Sequence, residues 1–264
     1  MADRDEELFR AVQGNHVKQV ETLLDHGVSL NVSDTAPMKL AIETGNTKLA
    51  ILLLERRSSM SISNRYELLE HAMIKKQSAV VARLLKHKVS PNAHLSFGDS
   101  PLCFAAEVNS QELVKVLLQA NANPNSVNAR EETALYIACR DGSTAIAKIL
   151  ITFGADLSWV HTKDYNFTPL IVAVANDNRD IVQLLLNFNI NIDAQDTEGW
   201  TALWHAYSNG NEEICALLLK AGAKTDIPNN EGKTVIQEAN EDEDEENFTH
   251  LFTKYAKFRN SLTL

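Results

Sequence analysis

Histidine and cysteine side chains are the residues best suited to catalysis or metal binding in this chain, which has eight histidines and three cysteines. A metal site needs several imidazole, thiolate or carboxylate ligands close together, and the histidines are scattered without a paired ligand spacing. The nearest approach to a cluster is His205, which follows Trp204 and lies near Cys215 in sequence; packing is its expected role. The sequence has no G-x-x-x-x-G-K-[ST] phosphate loop, no G-x-S-x-G nucleophile turn and no H-E-x-x-H pair. We therefore expect no enzyme activity, no metal and no cofactor.

Composition and charge are typical of a folded, soluble protein that does not bind nucleic acid in a general way. Apolar residues make up 44% of the chain and charged residues 23%, which suits a folded soluble protein. No apolar run approaches the ~20 residues that a membrane span needs, and the acidic N-terminus argues against a signal peptide. The net charge of −10 is the wrong sign for a general nucleic-acid binder. Cys103, Cys139 and Cys215 fall in predicted helices, so we expect reduced thiols and a cytoplasmic or nuclear location.

The elements that would position any site recur about every 33 residues. Two independent positions keep this period, an apolar residue that closes a Leu-rich run and an alanine in the preceding segment. A common period at two positions predicts a solenoid of stacked units. The closing residues are Leu24, Leu54, Leu85, Leu118, Ile151, Leu186, Leu219 and Phe252, and the alanines are Ala41, Ala72, Ala105, Ala138, Ala173, Ala206 and Ala239.

The segment from Gly199 to Glu231 shows what one unit contains. Thr201 is suited to cap the start of a first helix, because its hydroxyl can accept a hydrogen bond from a free backbone N–H. Gly210 and Gly222 suit the ends of the first and second helices, where a left-handed residue is needed. Apolar residues between Ile214 and Leu219 recur with helical spacing. Each unit is therefore predicted to be a helix, a tight turn, a second helix and an extended turn.

These residues resemble the ankyrin repeat, whose pattern opens with T-P-L and ends with L-L-x-x-G-A-D. The closest matches are Ser100-Pro101-Leu102, Thr168-Pro169-Leu170 and Phe153-Gly154-Ala155-Asp156. The resemblance implies an all-α fold, an ankyrin-type α-solenoid of stacked helix-turn-helix repeats joined by extended turns or β-hairpin fingers. It implies a single domain over 1–264, with the first and last repeats acting as caps. The expected repeats are 5–34, 35–64, 65–97, 98–130, 131–165, 166–198, 199–231 and 232–258.

Two departures from the family pattern are informative. No repeat has the histidine that follows T-P-L in the family, and this suggests weaker order between neighbouring repeats. The turn after Asp156 is longer by two residues. Insertions in repeats map to loops on one face, which is often the binding face.

Aromatic residues stand at positions that such an array should expose. In ankyrin-like repeats, the residue before the capping Thr lies toward the concave face, so Phe167 and Trp200 should be neighbours there. Exposed aromatic side chains are typical of binding hot spots, although they could instead pack on each other to stiffen the turn. For Trp204, part-buried packing is favoured over contact with a partner. The positions before the capping residue are Asp99, Glu132, Phe167, Trp200 and Lys233, and the candidate partner-binding residues are Trp159, Tyr165, Phe167, Trp200, Trp204, Glu132 and Arg140.

A cluster of positive charges supports an alternative. Between Arg56 and Lys88 the positive residues are opposed only by Glu67 and Glu70, whereas an acidic run occupies 241–246. The ordinary interpretation is two solvated faces. The alternative function is binding of a polyanion, either nucleic acid or anionic lipid. The basic strip comprises Arg56, Arg57, Lys75, Lys76, Lys86 and Lys88.

The leading hypothesis from the sequence is a non-enzymatic scaffold or adaptor. It would recognise another protein or a peptide through the concave face and turn tips of repeats 5 to 7. Stacked helices supply rigidity, so little ordering entropy is lost on binding. We expect the chain to be monomeric when it is unbound.

Overall fold

The computed structural model describes residues 2–28, 35–56, 60–241 and 248–255. These residues form eight successive pairs of helices, which divide into two compact units, 1–126 and 127–264. Extended structure in the described chain is limited to four isolated antiparallel bridges. The all-α solenoid architecture expected from the sequence is thereby confirmed.

The first unit contains repeats 1 to 4. Its four second helices pack on one another in series, and the first helices of repeats 1 to 3 do the same, so neighbouring repeats bury apolar faces against each other. The helix pairs are α1 (Ala2–Gln13) with α2 (Val17–Asp25), α3 (Ala36–Glu43) with α4 (Thr47–Arg56), α5 (Ile62–Ile74) with α6 (Ser78–Lys86), and α7 (Pro101–Glu107) with α8 (Gln111–Gln119).

The second unit contains repeats 5 to 8 and repeats the same packing of first on first and second on second helices. Its last helix, α16, spans 248–255 and buries Phe248 and Phe252 against Tyr207. The predicted C-terminal cap thus has an apolar inner face. The other helices are α9 (Ala134–Arg140), α10 (Thr144–Thr152), α11 (Pro169–Ala175), α12 (Arg179–Leu185), α13 (Ala202–Ser208), α14 (Glu212–Lys220) and α15 (Val235–Glu241).

Side-chain caps fix where the first helices begin. In repeats 4 to 7 the hydroxyl before the helix accepts a hydrogen bond from the backbone N–H three residues later. This satisfies one of the N–H groups that a helix start leaves unpaired. The predicted cap at Thr201 is confirmed, since its Oγ1 accepts from the N–H of Trp204 at 3.4 Å. The capping residues are Ser100, Thr133, Thr168 and Thr201.

Repeat 3 differs from its neighbours at both of its turns. A residue shortly after the first helix of repeats 1 to 7, and after the second helix of repeats 1, 3, 4, 5 and 7, adopts positive φ, and it is usually glycine, asparagine or aspartate, as predicted for Gly210 and Gly222. Repeat 3 has Lys76 (φ 53°) and Lys88 (φ 63°) at these two places. A left-handed conformation costs such a residue about 1–2 kcal/mol. Helix α5 also begins at Ile62, ahead of the predicted repeat start at Arg65, because Ser61 caps it.

Other polar side chains provide the contacts between repeats that the missing histidine provides in the family pattern. Asn178 donates from Nδ2 to the carbonyls of Cys139 and Arg140, at 2.8 and 2.9 Å. Gln77 donates from Nε2 to the Ile42 carbonyl at 2.6 Å and is buried. Each amide satisfies the free carbonyls at the end of the preceding repeat's first helix. Neighbouring repeats are therefore tied together at a different position from the one that the family pattern uses.

Candidate functional site

The fingers that join repeats in the second unit are held by side-chain oxygens. In three of them an Asn or Asp at the base of the finger accepts hydrogen bonds from the backbone N–H groups two and four residues later. The second of these donors is the residue that precedes the helix cap, so its backbone position is fixed. The acceptors are Asn128, Asp196 and Asn229, and the residues fixed in this way are Glu132, Trp200 and Lys233.

The finger that leads from repeat 5 into repeat 6 has the predicted two-residue insertion at its tip. His161 takes the place of the Asn or Asp, and its N–H donates to the Phe167 carbonyl at 2.9 Å. Five residues separate His161 from Phe167, against three between Asp196 and Trp200. The longer tip presents Tyr165, which is 60% exposed and 5.9 Å from the Phe167 ring.

Phe167 and Trp200 lie on either side of the His205 ring, which contacts both. They are therefore near one another, as the sequence predicted. The His205 ring lies 5.1 Å from Phe167 and 5.4 Å from Trp200, edge-on to both. His205 shares a 2.8 Å hydrogen bond through Nε2 with Asp196 Oδ2, and that aspartate is buried. This pair orients a packed imidazole ring. We call Tyr165, Phe167, Trp200 and His205 the aromatic surface.

Trp204 does not belong to that surface, because it is only 4% exposed. Its ring stacks under Trp200 with centroids 5.4 Å apart and an interplanar angle of 20°. Trp204 is therefore packed, as favoured, but it is buried more deeply than the sequence led us to expect. Its buried indole N–H has no acceptor among the residues that the structure describes. Such an unpaired donor costs about 1–3 kcal/mol.

Trp159 lies in a second aromatic group, around Tyr136 and His161. The Trp159 ring stacks on His161 at 5.6 Å and meets Tyr136 edge-on at 5.8 Å. The Tyr136 hydroxyl donates to Asp164 at 2.8 Å, and burial together with this bond raises the pKa of the Tyr136 phenol far above its usual value. Tyr136 stands where the family has its histidine, and its contact with the next finger was not predicted.

Glu132 contradicts the expectation of an exposed side chain, since it is 4% exposed. Its carboxylate accepts hydrogen bonds from Asn128 (2.6 Å), from Arg130 (2.8 Å) and from Arg140. Burial would raise the pKa of Glu132, but the hydrogen bonds from Asn128 and Arg130 and the charges of Arg140 and Arg130 outweigh it, so the pKa lies below its ordinary value. Glu132 therefore acts as an internal anchor, which leaves Arg140 half-buried beside it.

The basic strip is partly neutralised within the first unit. Arg56 pairs with Asp25, and the neighbouring Arg83 pairs with Glu55. Lys76 donates to the Val108 carbonyl at 2.7 Å. Arg57 lies outside the described residues. Within the described chain, the members that are exposed and form no ion pair are Lys75, Lys76, Lys86 and Lys88.

Among the described residues, no group of three or more His, Cys, Asp or Glu side chains could hold a metal ion. None of the helices in that part of the chain is long and apolar enough to cross a membrane. All three cysteines are buried, free thiols.

Comparison with known families decides the classification. A family model described as ankyrin repeats in three copies matches residues 102–196 and 188–260, more than half of the chain. The chain belongs to the ankyrin-repeat family. Ankyrin repeats generally mediate protein–protein interactions and are typically not catalytic.

Individual relatives share this repeat region with larger proteins. The chain is 31% identical over 123 residues to a putative ankyrin repeat protein of Rickettsia felis, covering 46% of this chain and 43% of that protein. It is 35% identical over 106 residues to glycerophosphocholine phosphodiesterase gde1 of Schizosaccharomyces pombe, covering 39% of this chain but 9% of the enzyme. It thus spans less than half the length of these relatives.

A solved ankyrin-repeat structure matches most of the chain. The ankyrin repeat domain of Bcl-3, described as a unique member of the IkappaB protein family, superimposes with a TM-score of 0.68 at 27% identity. The match covers 78% of this chain and 93% of the Bcl-3 chain. The ankyrin fold is thus supported by sequence and structure together.

Proposed function

We propose that the chain is a non-enzymatic scaffold or adaptor that binds a protein or peptide through the aromatic surface of repeats 5 to 7. The observation that carries this proposal is Tyr165, exposed beside Phe167 at the tip of the lengthened finger. A large exposed aromatic ring on a fixed backbone costs little entropy on binding and is typical of hot spots.

The neighbouring contacts support the same role. Phe167 and Trp200 are half-buried, with their orientation set by His205 and by the hydrogen-bonded fingers. The tips themselves are joined, since Thr197 donates its backbone N–H to the Tyr165 carbonyl at 2.9 Å. A partner would therefore meet a preformed surface.

The polyanion alternative has weaker support from the charges. Arg56 and Arg83 already have carboxylate partners. Four exposed lysines are left on a chain whose net charge is −10. We also propose a monomer in the unbound state and, because the buried thiols are reduced, a cytoplasmic or nuclear location.

Affinity capture from cell extract with mass spectrometry tests the proposed surface. The Phe167→Ala/Trp200→Ala double variant should lose the proteins that wild type enriches, because loss of a hot spot weakens binding about 30-fold or more. The matched control is Phe153→Ala/Phe188→Ala, which removes two rings that are 43% and 40% exposed at equivalent positions of repeats 5 and 6. This control should capture as wild type does.

Folding of the variants is checked by circular dichroism. If the double variant loses helix content, Tyr165→Ser replaces it, because that exposed ring contributes little to the core. Undiminished capture by a folded variant would refute this placement of the binding surface.

A further inference from the structure

Next to the aromatic surface, repeats 7 and 8 form a cleft that shares only Trp200 with that surface. It consists of two adjoining cavities of about 460 and 160 Å³. Both cavities are lined by Trp200, Trp204 and Glu238. We call it the repeat 7–8 cleft.

The cleft carries negative charge. Its lining includes the carboxylates of Glu198, Glu231 and Glu238, and none of its lining residues is a lysine or an arginine. Lys233 lies nearby, where its ammonium group contacts Glu238 at 3.0 Å and Glu241 at 2.9 Å. One lysine cannot neutralise these four carboxylates, so the charge of the cleft complements a cationic ligand.

The indoles give the cleft a second property that points to a cation. An aromatic face beside a carboxylate attracts a cation both through the ring quadrupole and by charge pairing. Trp200 is only half-buried over the fully packed Trp204. A guanidinium group suits this arrangement better than an ammonium group, because it is planar, stacks on rings and pairs with carboxylates in a forked geometry.

Trp204 supplies an independent sign of an absent partner. Its side chain is more than nine-tenths buried, lines both cavities and has an indole N–H without an acceptor in the described chain. A backbone carbonyl of a bound peptide would provide the missing acceptor. The cleft therefore suits a ligand that has both a cationic group and a carbonyl oxygen. A single arginine or lysine residue of a peptide has both groups.

We propose that the repeat 7–8 cleft binds an arginine of the partner, with its guanidinium group against the Trp200 ring and the Glu238 carboxylate. This inference rests on the proposed function, since it specifies the chemistry of the segment that the neighbouring aromatic surface would contact. The partner segment is accordingly basic, in keeping with the charge of −10 on this chain.

Titration of the full chain with capped tripeptides tests the assignment. The probes are Gly-Arg-Gly, Gly-Lys-Gly and Gly-citrulline-Gly, the last of which keeps the shape of arginine without its charge. Indole N–H signals of Trp200 and Trp204 in ¹⁵N NMR spectra report on binding. We expect saturable shifts with the arginine peptide and a dissociation constant on the order of millimolar. The citrulline peptide should bind at least tenfold more weakly, and the lysine peptide more weakly than the arginine peptide.

Two variants test whether the Glu238 carboxylate binds the guanidinium group. Glu238→Gln should weaken binding of the arginine peptide at least fivefold, whereas Glu212→Gln should leave it unchanged, because Glu212 is exposed at the start of α14 and does not line the cleft. Absence of saturable shifts, equal binding of the citrulline or lysine peptide, or wild-type binding by Glu238→Gln would overturn the proposal.

The outcomes separate this inference from the proposed function. Partner capture that depends on Tyr165 and Phe167, which do not line the cleft, without binding of the arginine peptide, would refute the cleft alone. Binding of the arginine peptide, with capture undiminished in a folded Tyr165→Ser/Phe167→Ala variant that leaves the cleft lining intact, would refute the aromatic surface as the site and leave the cleft standing.

Discussion

Replacement of Gly142 by alanine isolates the bond that ties repeat 5 to repeat 6. Gly142 has φ of 73°, and a Cβ atom there would lie 2.6 Å from Asn178 Oδ1. Gly210 holds the equivalent place in repeat 7 with φ of 68°, but a Cβ atom there meets nothing within 4 Å. The two substitutions therefore share the backbone strain and differ in the clash with Asn178.

The expected magnitudes follow from these contacts. The left-handed conformation costs alanine about 1–2 kcal/mol, and reduced entropy of the unfolded chain offsets about 0.4–1 kcal/mol of it. Gly210→Ala should thus lower the free energy of unfolding by about 1 kcal/mol. Gly142→Ala also displaces Asn178 from two carbonyls, and each hydrogen bond contributes about 0.5–1.5 kcal/mol. Its total cost should be about 2–4 kcal/mol.

Urea unfolding followed by circular dichroism measures the difference between the two variants. In an Asn178→Ala background, Gly142→Ala should cost no more than Gly210→Ala does, because the clash has been removed. Equal costs of the two glycine substitutions in the wild-type background, within about 0.5 kcal/mol, would refute the argument that Asn178 ties these repeats together.

Two further substitutions test features of the fold. Glu132→Gln should lower the free energy of unfolding by about 1–3 kcal/mol at pH 7. Because the pKa of Glu132 is lowered in the folded state, the difference in stability between wild type and variant should shrink as the pH falls below the ordinary glutamate pKa of about 4.3. It should vanish once the pH is below the folded-state pKa. Urea unfolding of both proteins from pH 7 to pH 3 measures this difference, and one that does not change with pH would contradict the ion-pair role. Lys88→Gly should raise the melting temperature by relieving the left-handed lysine, whereas Lys86→Gly, at the end of α6, should lower it, although both remove one positive charge. Parallel shifts in calorimetry would show that charge, rather than backbone conformation, governs the effect.

Local signals in the sequence were sufficient for the helix pairs and for part of the site. The cap at Thr201 and the turn at Gly210 depend on residues within one helical turn, and the repeat period places Phe167 near Trp200. Burial of Glu132 could not be predicted, because its partners Asn128 and Arg140 lie on either side of it, in the finger and at the helix end. From the sequence, each of these charged or polar residues would be expected to lie on the surface.

The position of Glu238 could not be predicted for a similar reason. It lies on α15 and lines the same cavity as Trp200 and Trp204 of the preceding repeat. Within its own repeat it belongs to a strongly acidic stretch, which reads as a solvated face. Side-chain contacts between neighbouring repeats cannot be predicted from the sequence of one repeat. The period gives the spacing of the repeats but does not say which side chains pair.

The lengthened finger between repeats 5 and 6 shows that the length of a finger can change without a change in the hydrogen bond that closes it. The hydrogen bond from His161 to Phe167 closes the finger below the insertion, as the bond from Asp196 to Trp200 does in the shorter finger of repeat 7. Lengthening a closed loop from three to five residues costs only about 0.5 kcal/mol of closure entropy. The tip can therefore change in length and sequence while the helices below it keep their spacing, so residues can be inserted there without rebuilding the core.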